Sequence, residues 1–308
     1  MIYLVLLLWL AIAICILCEK RNIRLVIYLC VFSCITSVAF LLLGSPDSAM
    51  AEVSIGAFTT IFFVICFGKH SELKVDQEFK RKREPFHPVK FLLPIAFTAL
   101  LFVLFLIFIP TGEVNTYLKD QYLALFMYNV GGENAVTAIY LGYRIYDTLF
   151  EALILVVAVV AVVHMSYSKL SFVTEGRKSY VGRFITTIGV LRIVCALILL
   201  FGLYLIMNGH ISAGGGFQGG LFLAAFFICR YLVYDIYDIP ITKVFKMEEF
   251  IFFSTVVLAL FVVFLGMIRY LPAVFQDVYM IVMNFMIGFK VACGFLILFY
   301  RYIAIESR

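Results

Sequence analysis

Four polar residues at intervals of one to three positions mark the start of one apolar segment. They are Arg144, Asp147, Thr148 and Glu151, and they precede the uninterrupted apolar run ALILVVAVVAVV. Residues three and four apart share one face of a helix, so this spacing predicts a guanidinium and two carboxylates side by side. An ionisable group within a bilayer is costly and is presumed to be paired or functional. The chemistry available to this set is reversible binding of a proton or a small cation, with local charge setting the affinity.

Two further ionisable side chains, Glu52 and Lys290, fall inside other apolar segments. Glu52 lies about one helical turn into the segment AMAEVSIGAF, and Lys290 lies mid-way along the last segment, six residues after Asn284. Internal ion pairs that orient helices and a relay for protons or cations are both open interpretations of such groups. We favour the relay for Glu52, Glu151 and Lys290. For Arg192, closer to a segment end, we favour an ion pair or a snorkelling side chain.

The most distinctive stretch is GHISAGGGFQGG, residues 209–220. Glycines four residues apart let the backbone of a neighbouring helix approach closely, and a glycine triplet permits a sharp turn before a helix begins. A phosphate-binding loop is excluded because no Lys-Ser/Thr pair follows and no strand precedes. His210, at the edge of the stretch, is interpreted either as a group that titrates near neutral pH or as an ordinary surface histidine. The glycines assigned to helix packing and to the turn are Gly214, Gly215, Gly216, Gly219 and Gly220.

The cysteines raise a second chemistry, a bound metal ion or iron–sulfur cluster. Cys15 and Cys18 form a CxxC at the end of the first apolar segment, and Cys30 and Cys34 follow in the second. The second pair has the wrong spacing for a ribbon-type site, and cysteine is a common small apolar residue in membrane helices. We therefore expect no metal and no cofactor. Because no Ser-His-Asp set and no hydrolase-like pair of carboxylates can be assembled, we expect no catalysis by this chain alone.

Composition defines the elements that must position these groups. Of 308 residues, 64% are hydrophobic and 14% are charged, and the mean hydropathy is +1.08. These values exclude a soluble globular domain, a disordered chain and a nucleic-acid-binding arm. The apolar runs are continuous rather than alternating, which predicts membrane-spanning helices instead of a β-barrel. We predict an all-α polytopic membrane protein with about nine transmembrane helices, at Met1–Cys18, Arg24–Leu43, Ala49–Lys69, Phe91–Ile109, Tyr146–His164, Arg183–Met207, Phe217–Tyr234, Phe250–Arg269 and Val278–Tyr300.

Basic residues set the predicted orientation, because Lys and Arg concentrate in short cytoplasmic loops. With the loops after the odd-numbered spans inside, 19 of the 24 Lys and Arg residues lie on the cytoplasmic side. The N-terminus is then outside and the C-terminus is cytoplasmic. The first span has no basic residue before it and no small-residue cleavage site, so it is interpreted as an uncleaved anchor.

Two polar connections divide the chain into three blocks. Residues 71–90 and 166–182 are predicted to be cytoplasmic loops. They separate a three-span unit (1–70), a two-span unit that carries the motif RxxDTxxE (91–165) and a four-span unit (183–308). No internal repeat relates the blocks, so the sequence does not support an inverted-repeat transporter.

The last block resembles a known family. GHISAGGGFQGGLFLAA, the four spans around it and the ending NFMIGFKVACGFLILF resemble the MrpB (MnhB) family of multisubunit Mrp-type sodium/proton antiporters. The same unit occurs in related membrane-bound hydrogenases. The family motif has proline where this chain has Ala213, but the glycines and Gln218 are in place.

The other two blocks resemble neighbouring parts of the same complexes. NAVTAIYLGYRIYDTLFEALILVVAVVAV resembles a stretch near the end of the large MrpA subunit, and all four RxxDTxxE residues match it position by position. The family more often has glycine where Phe150 stands. PDSAMAEVSIGAF in the first block resembles the adjoining three-span unit, with Glu52 on its acidic position. Membrane-bound hydrogenase complexes carry the equivalents as separate small membrane proteins (MbhD, MbhE and MbhF), so the resemblance implies several units joined in one polypeptide.

The resemblance implies an integral subunit of an Mrp-type monovalent cation (Na+)/proton antiport module in a prokaryotic plasma membrane. Its expected partners are Na+, H+, the lipid bilayer and other Mrp-type subunits, including a separate large antiporter-like subunit. Where the module is coupled to a membrane-bound redox complex, a hydrogenase-like redox arm is a further expected partner. Nucleic acid is not an expected partner.

Each candidate residue has an expected role in that module. Glu52 and Glu151 would bind protons or sodium ions transiently, and Lys290 would supply a switchable positive charge. Arg144 and Asp147 would tune the affinity of the acids. Two alternatives stay open, a structural membrane scaffold that carries no ion and a membrane redox protein with a cysteine-bound cluster.

The predicted orientation is testable by cysteine labelling in whole cells. A membrane-impermeant maleimide is expected to label the Ser212→Cys variant from outside, and the Ser71→Cys variant only after the cytoplasmic face is made accessible. The parent chain, which has eight cysteines, supplies the background. Labelling of both variants from the same side contradicts the topology.

Overall fold

The protein folds as a bundle of helices. A computed structural model describes residues 1–19, 21–73, 88–108, 116–165, 185–234, 241–264 and 272–306. Every regular element in those ranges is helical, which confirms the predicted all-α class. The elements are α1 (Ile2–Cys18), α2 (Asn22–Leu42), α3 (Pro46–Leu73), α4 (Pro88–Phe108), α5 (Tyr117–Asn129), α6 (Ala135–Ala138), a π-helical turn (Ile139–Tyr143), α7 (Ile145–Met165), α8 (Ile185–Asn208), α9 (Gly216–Tyr234), α10 (Ile241–Phe264) and α11 (Ala273–Glu306).

Five helices in the described ranges are long and apolar enough to cross a bilayer. The count of nine spans and the orientation stay predictions. Most of the two predicted cytoplasmic loops, residues 74–87 and 166–182, lies outside the described part of the chain. Shorter apolar helices occupy three other predicted spans, at Ile2–Cys18, Ala96–Phe108 and Gly216–Arg230. The five long segments are Asn22–Leu42, Pro46–Phe67, Ile145–Met165, Gly189–Asn208 and Ala273–Tyr302.

α11 is the central helix of the bundle. In the most apolar stretch of α11, 61% of the residues are buried within the protein. In the corresponding stretches of α2, α7 and α8 the buried share is 22%. Its 34 residues correspond to a length of about 50 Å. α11 packs against α7, α8, α9 and α10, and α9 packs in turn against α3 and α8. Side chains on α11 are therefore the most completely shielded from the surroundings of the bundle.

Glycines on α9 allow two neighbouring helices to approach closely. A Cβ atom at Gly216 would lie 2.5 Å from the carbonyl oxygen of Asn284, and one at Gly220 would lie 2.5 Å from that of Gly288, both on α11. On another face of α9, Gly219 approaches the backbone of α8 in the same way. The backbone of a packed helix cannot move aside for an added Cβ atom as the end of a flexible side chain can. These positions therefore require glycine.

The segment before α7 folds in a way that hydrophobic periodicity does not predict. α5 is an additional helix of 13 residues that is too short and too polar to be recognised as a span. A π-helical turn then follows α6 and ends at Arg144, where φ is −123° and ψ is 37°. Because these angles are not helical, the register of Arg144 relative to α7 differs from that in one continuous α-helix.

Gly216 provides a test of the close contact between α9 and α11. Gly216→Ala is expected to destabilise the chain by about 1–3 kcal/mol through overpacking, and Gly216→Leu is expected to impair assembly with partner subunits. Gly189→Ala on α8 is the matched control, because a Cβ atom there meets nothing within 4 Å. Thermal unfolding in detergent and recovery of the assembled complex measure the two effects. Equal stability of the alanine variants at Gly216 and Gly189 would refute the packing role.

Candidate functional site

A buried ammonium group lies at the junction of three helices. The side chain of Lys290, on α11, is 1% exposed, and its Nζ donates a hydrogen bond to the carbonyl oxygen of Ala152 on α7. The same Nζ lies 3.6 Å from Oε1 of Glu248 on α10, whose side chain is also 1% exposed. The ring centre of Phe252 is 5.6 Å from Nζ. The ammonium group therefore links α7, α10 and α11 in the interior of the bundle.

Glu151 is next in sequence to the residue whose carbonyl oxygen accepts from this ammonium group. That residue is Ala152, which Glu151 immediately precedes, and Glu151 itself is exposed. Together with Thr148, Glu151 lines a small cleft of about 10 Å³ whose other walls are apolar. A volume of that size is about enough for one water molecule. Two of the predicted site residues, Glu151 and Lys290, thus lie on helices that pack together, Lys290 buried and Glu151 exposed.

Arg144 and Asp147 form an ion pair of their own at the surface. The guanidinium contacts the carboxylate, and the two side chains are 63% and 56% exposed. Thr148, by contrast, is buried and donates a hydrogen bond of 2.7 Å to the carbonyl oxygen of Tyr140 in the π-helical turn. The contact between Arg144 and Asp147 is the one that their spacing predicts, and Asp147 and Glu151 lie four residues apart on α7 with both residues exposed. Thr148, which is buried, lines the cleft next to α11 together with the exposed Glu151.

Glu52 lies at a different cleft, between α2 and α3. One of its carboxylate oxygens accepts a hydrogen bond of 2.9 Å from Oγ of Ser33. The cleft has a volume of about 270 Å³, and Thr59 and Thr60 are among the residues that line it. This volume accommodates several water molecules. The structure therefore places Glu52 at a hydratable site of its own and not in the cluster around Lys290.

The glycine-rich loop between α8 and α9 is held by hydrogen bonds that converge on Asn134. The Oδ1 atom of Asn134 caps α6 by accepting from the backbone N–H of Val136 at 2.9 Å. Its Nδ2 atom donates to Oδ1 of Asp47 and to the carbonyl oxygen of Ser212, each at 3.0 Å. The same Asp47 oxygen accepts from the backbone N–H of Gly214 at 3.2 Å. One buried amide therefore ties α3, α6 and the loop together.

Asn284 on α11 anchors the other side of the loop. Its side chain is fully buried, and its Oδ1 atom accepts from the backbone N–H of Gly216 at 3.0 Å and from the Tyr140 hydroxyl at 3.1 Å. His210 is buried as well, with Nδ1 3.1 Å from the carbonyl oxygen of Met207. A buried position does not fit the interpretation of His210 as an ordinary surface histidine, so His210 belongs to the interior of this loop.

The glycine triplet adopts the geometry that directs the chain into α9. Gly214 and Gly215 have φ angles of 145° and 154°, which other residues rarely adopt, and α9 begins at Gly216. In this conformation the backbone N–H groups of Gly214 and Gly216 reach acceptors on α3 and α11. The turn and its anchoring thus depend on the same residues.

Three residues that the sequence interpretation missed complete these clusters, namely Glu248, Asp47 and Asn134. The preference for Asn at helix N-caps could have identified Asn134. Asp47 lies in the first turn of α3, where a carboxylate is favourable, but its contact with the glycine loop is long-range. Glu248 lies two positions before the predicted span Phe250–Arg269, and no local signal pairs it with Lys290.

The described residues offer no grouping of three or more His, Cys, Asp or Glu side chains that could hold a metal ion. Cys15 and Cys18 are exposed at the end of α1, and all eight cysteines are free. The groups that the structure does bring together are ionic. A buried ammonium group beside a buried carboxylate can exchange a proton or compete with a small cation.

Two segments of the chain match known protein families. Residues 185–305 match the family MnhB, described as a domain related to the MnhB subunit of Na+/H+ antiporter. Residues 7–72 match the family MbhD, described as one of the subunits of MBH. The matches confirm the resemblance of the last block to MnhB and of the first block to a neighbouring unit of the same complexes.

Relatives of known sequence cover parts of the chain. A putative antiporter subunit mnhA2 of Staphylococcus saprophyticus is 27% identical over 129 residues, which are 41% of this chain and 15% of that protein. The uncharacterized protein MJ1307 of Methanocaldococcus jannaschii is 33% identical over 115 residues, which are 33% of this chain and 44% of that protein. The matched regions thus span less than half the length of these relatives.

Two solved structures have a similar arrangement of helices. In the Mrp complex from Dietzia sp. DQ12-45-1b, one chain superposes with a TM-score of 0.67 at 19% identity, over 95% of this chain and 34% of that chain. A chain of the membrane-bound sulfane sulfur reductase, an archaeal respiratory membrane complex, superposes with a TM-score of 0.58 at 24% identity, over 70% of this chain and 97% of that chain. At these identities the similarity establishes a shared fold alone.

The role of Asn134 in holding the loop leads to a stability prediction. Asn134→Ala removes the cap of α6 and the donor to Asp47, and we expect a loss of about 1–3 kcal/mol. Asn129→Ala is the matched control, because that amide is half-buried and donates at 3.0 Å to the Tyr143 hydroxyl, outside the glycine-rich loop. Thermal unfolding gives the stability, and maleimide labelling of Ser212→Cys in each background gives the exposure of the loop. Equal losses in both variants would contradict a central role for Asn134.

Proposed function

Because the chain joins an MbhD-like unit and an MnhB-related domain in one polypeptide, we propose that it is an integral membrane subunit of an Mrp-type antiport module. The module exchanges a monovalent cation, Na+, for protons across a prokaryotic plasma membrane. Other Mrp-type subunits, among them a large antiporter-like subunit, complete it. The descriptions of the matched family and of the mnhA2 relative as antiporter subunits support this assignment.

The buried charges around Lys290 are the observation that carries the proposal. An ammonium group that is 1% exposed, with an equally buried carboxylate 3.6 Å away, occupies the interior of an apolar bundle. A well-packed apolar cluster is often as stable as a buried ion pair or more stable, so stability alone does not account for these residues. Ionisable groups within a membrane bundle are characteristic of proton and cation paths.

The proposal gives the site residues distinct roles. Glu151 binds and releases a proton or a sodium ion, and its cleft of about 10 Å³ accommodates one water molecule beside it. Lys290 supplies the positive charge that competes with the bound cation. Glu52 is a second acid, at its own larger cleft. The surface pair Arg144 and Asp147 sets the local charge near the start of α7.

His210 is the remaining candidate for proton exchange. Its imidazole is buried inside the glycine-rich loop and is held by the carbonyl oxygen of Met207. A histidine changes its protonation near neutral pH more readily than any other side chain. In the proposed function His210 therefore exchanges protons at the loop end of the bundle.

A redox-coupled arrangement of the same module is a second candidate. The match to the MbhD family and the structural likeness to a chain of an archaeal respiratory membrane complex favour it. In that arrangement a hydrogenase-like redox arm drives ion movement, and this chain contributes to the membrane part. Co-purification of redox proteins with the chain distinguishes this arrangement from a standalone antiporter.

A scaffold that conducts no ion is the alternative function. The glycine contacts of α9 and the hydrogen bonds of Asn134 favour it, because both fix the positions of helices. The two functions differ in their response to a change of charge that preserves shape. A scaffold tolerates such a change, whereas an ion path does not.

Glu151→Gln separates conduction from scaffolding. The amide preserves the shape but can neither release a proton nor balance a sodium ion, so we expect Na+-dependent proton movement in inverted vesicles to fall by about 10²-fold or more. Glu151→Asp is expected to retain part of the transport. Glu133→Gln, at an exposed acid outside the cluster, is the matched control.

Recovery of the intact complex is measured in parallel with transport. If the Glu151→Gln complex assembles and transports like the parent, Glu151 is structural and the scaffold function is favoured. If that variant does not assemble, Glu52→Gln becomes the probe, because Glu52 lies in a cleft formed by α2 and α3.

A further inference from the structure

The cleft between α2 and α3 holds a carboxylate and a hydroxyl group side by side. Ser33 on α2 is buried, and its Oγ atom lies 2.9 Å from two oxygens of Glu52 on α3, the backbone carbonyl oxygen and Oε1. The single proton of the hydroxyl group therefore has two acceptors within reach. When Ser33 donates it to the backbone carbonyl oxygen, Oε1 and the lone pairs of Oγ are both available to a ligand.

Gly56 makes this close approach possible. It lies one turn after Glu52 on α3 and lines the same cleft. A Cβ atom at Gly56 would lie 2.7 Å from the Cβ atom of Ser33 and still closer to its Oγ atom. Any larger residue would push Ser33 away from α3. The packing of the two helices thus fixes the hydroxyl group of Ser33 next to the carboxylate.

A single charge faces the cleft. The described residues that line it lie on α2 and α3, and Glu52 is the one ionisable residue among them. An uncompensated carboxylate among apolar side chains is costly. Two electrically neutral forms are therefore available, a carboxylic acid and a carboxylate with one monovalent cation, whereas a divalent cation would leave an excess positive charge. The apolar side chains of the lining are those of Val26, Leu29, Phe32, Ile55 and Phe63.

The cleft has room for a cation that keeps part of its hydration shell. Its volume is about 270 Å³, and Thr59 and Thr60 line it beyond Glu52, about 10 Å along α3. Their hydroxyl groups donate to the backbone carbonyl oxygens of Ile55 and Gly56, so the hydroxyl oxygens can accept from water. A volume of this size holds several water molecules. Hard cations take about six oxygen ligands or more, and water is often among them.

We propose that Glu52 and Ser33 form a binding site for one partly hydrated monovalent cation, with Oγ of Ser33 as a ligand beside the carboxylate. Two oxygens 2.9 Å apart can both contact one ion at about 2.4 Å, a usual ligand distance for a hard cation. Water in the cleft supplies the remaining ligands. The inference rests on the proposed function and adds to it a ligand set and a preference for a single positive charge. A proton and a cation exclude each other here, because either one neutralises Glu52.

The first test measures binding without transport, in the purified whole complex. A hydrophobic carbodiimide modifies protonated carboxyl groups within membranes, and mass spectrometry locates the modified residue. We expect Na+ to slow the modification of Glu52, whereas choline and Mg²⁺ at the same ionic strength and pH do not. Equal rates of modification in Na+ and in choline overturn the inference. This comparison uses the parent complex, so it does not depend on the assembly of any variant.

A pair of serine variants tests the ligand role of Ser33. Ser33→Ala is expected to require about 10-fold more Na+ for the same protection of Glu52, a loss in the range known for weakened metal sites. Ser37→Ala is the matched control, because Ser37 is also buried on α2 and donates at 3.0 Å to the carbonyl oxygen of Ala49 on α3. Ser37 lies outside the described lining of the cleft. Equal Na+ requirements in the two variants overturn the ligand role and with it the inference.

Na+-dependent proton movement in inverted vesicles connects the site to the proposed function. The Na+ concentration that gives the half-maximal rate is expected to rise about 10-fold in Ser33→Ala and to keep the parent value in Ser37→Ala. A parent value in both variants, with transport lost in Glu151→Gln, overturns the inference alone. Protection of Glu52 by Na+ together with parent-like transport in Glu52→Gln and Glu151→Gln supports the binding site and overturns the proposed function.

Discussion

The interior of this bundle depends on the neutralisation of one positive charge. Nζ of Lys290 is buried, and the groups that stabilise it come from two other helices, a carboxylate on α10 and a backbone carbonyl group on α7. Because the cost of an unpaired buried charge is several kcal/mol, none of the three helices can move far without moving the others. The position of Glu151 follows from the same constraint, since it precedes the residue whose carbonyl oxygen accepts from Lys290.

On the other side of α11, the requirement is close backbone contact, and the glycines of α9 meet it. Asn284 and Gly288 are four residues apart and present their backbone to Gly216 and Gly220. Lys290 is two residues beyond Gly288 and therefore points about 200° away around the helix. One side of α11 is thus fixed by backbone contact with α9, and the other side carries the charge towards α7 and α10. This division of faces lets a single helix serve both packing and ion chemistry.

Sequence reasoning identified the features that arise from local pattern. Continuous apolar runs predicted the all-α class, and the interruption of those runs by Glu151 and Lys290 identified two ionisable residues on helices that pack together. Features that depend on long-range contacts were missed. The π-helical turn before α7 has no signature in the hydrophobic pattern, although Arg144 still contacts Asp147 as their spacing predicts. Glu248 belongs to an acidic pair at the edge of an apolar segment, where a carboxylate is ordinarily hydrated, and only the packing of α10 on α11 buries it.

The packing role and the ionic role of α11 are physically coupled. Close contact of Gly216 with the carbonyl oxygen of Asn284 leaves the backbone of α11 little freedom to shift. Movement of the ammonium group must then come from the lysine side chain itself, whose flexible four-carbon stem allows Nζ to move while the helix stays fixed. A looser contact between α9 and α11 would let the helix drift and would change the distance between Lys290 and Glu248, which is 3.6 Å. The rigidity of the glycine contacts is therefore a condition for any selective movement of charge on the other face, and a scaffold and an ion path are two consequences of one arrangement.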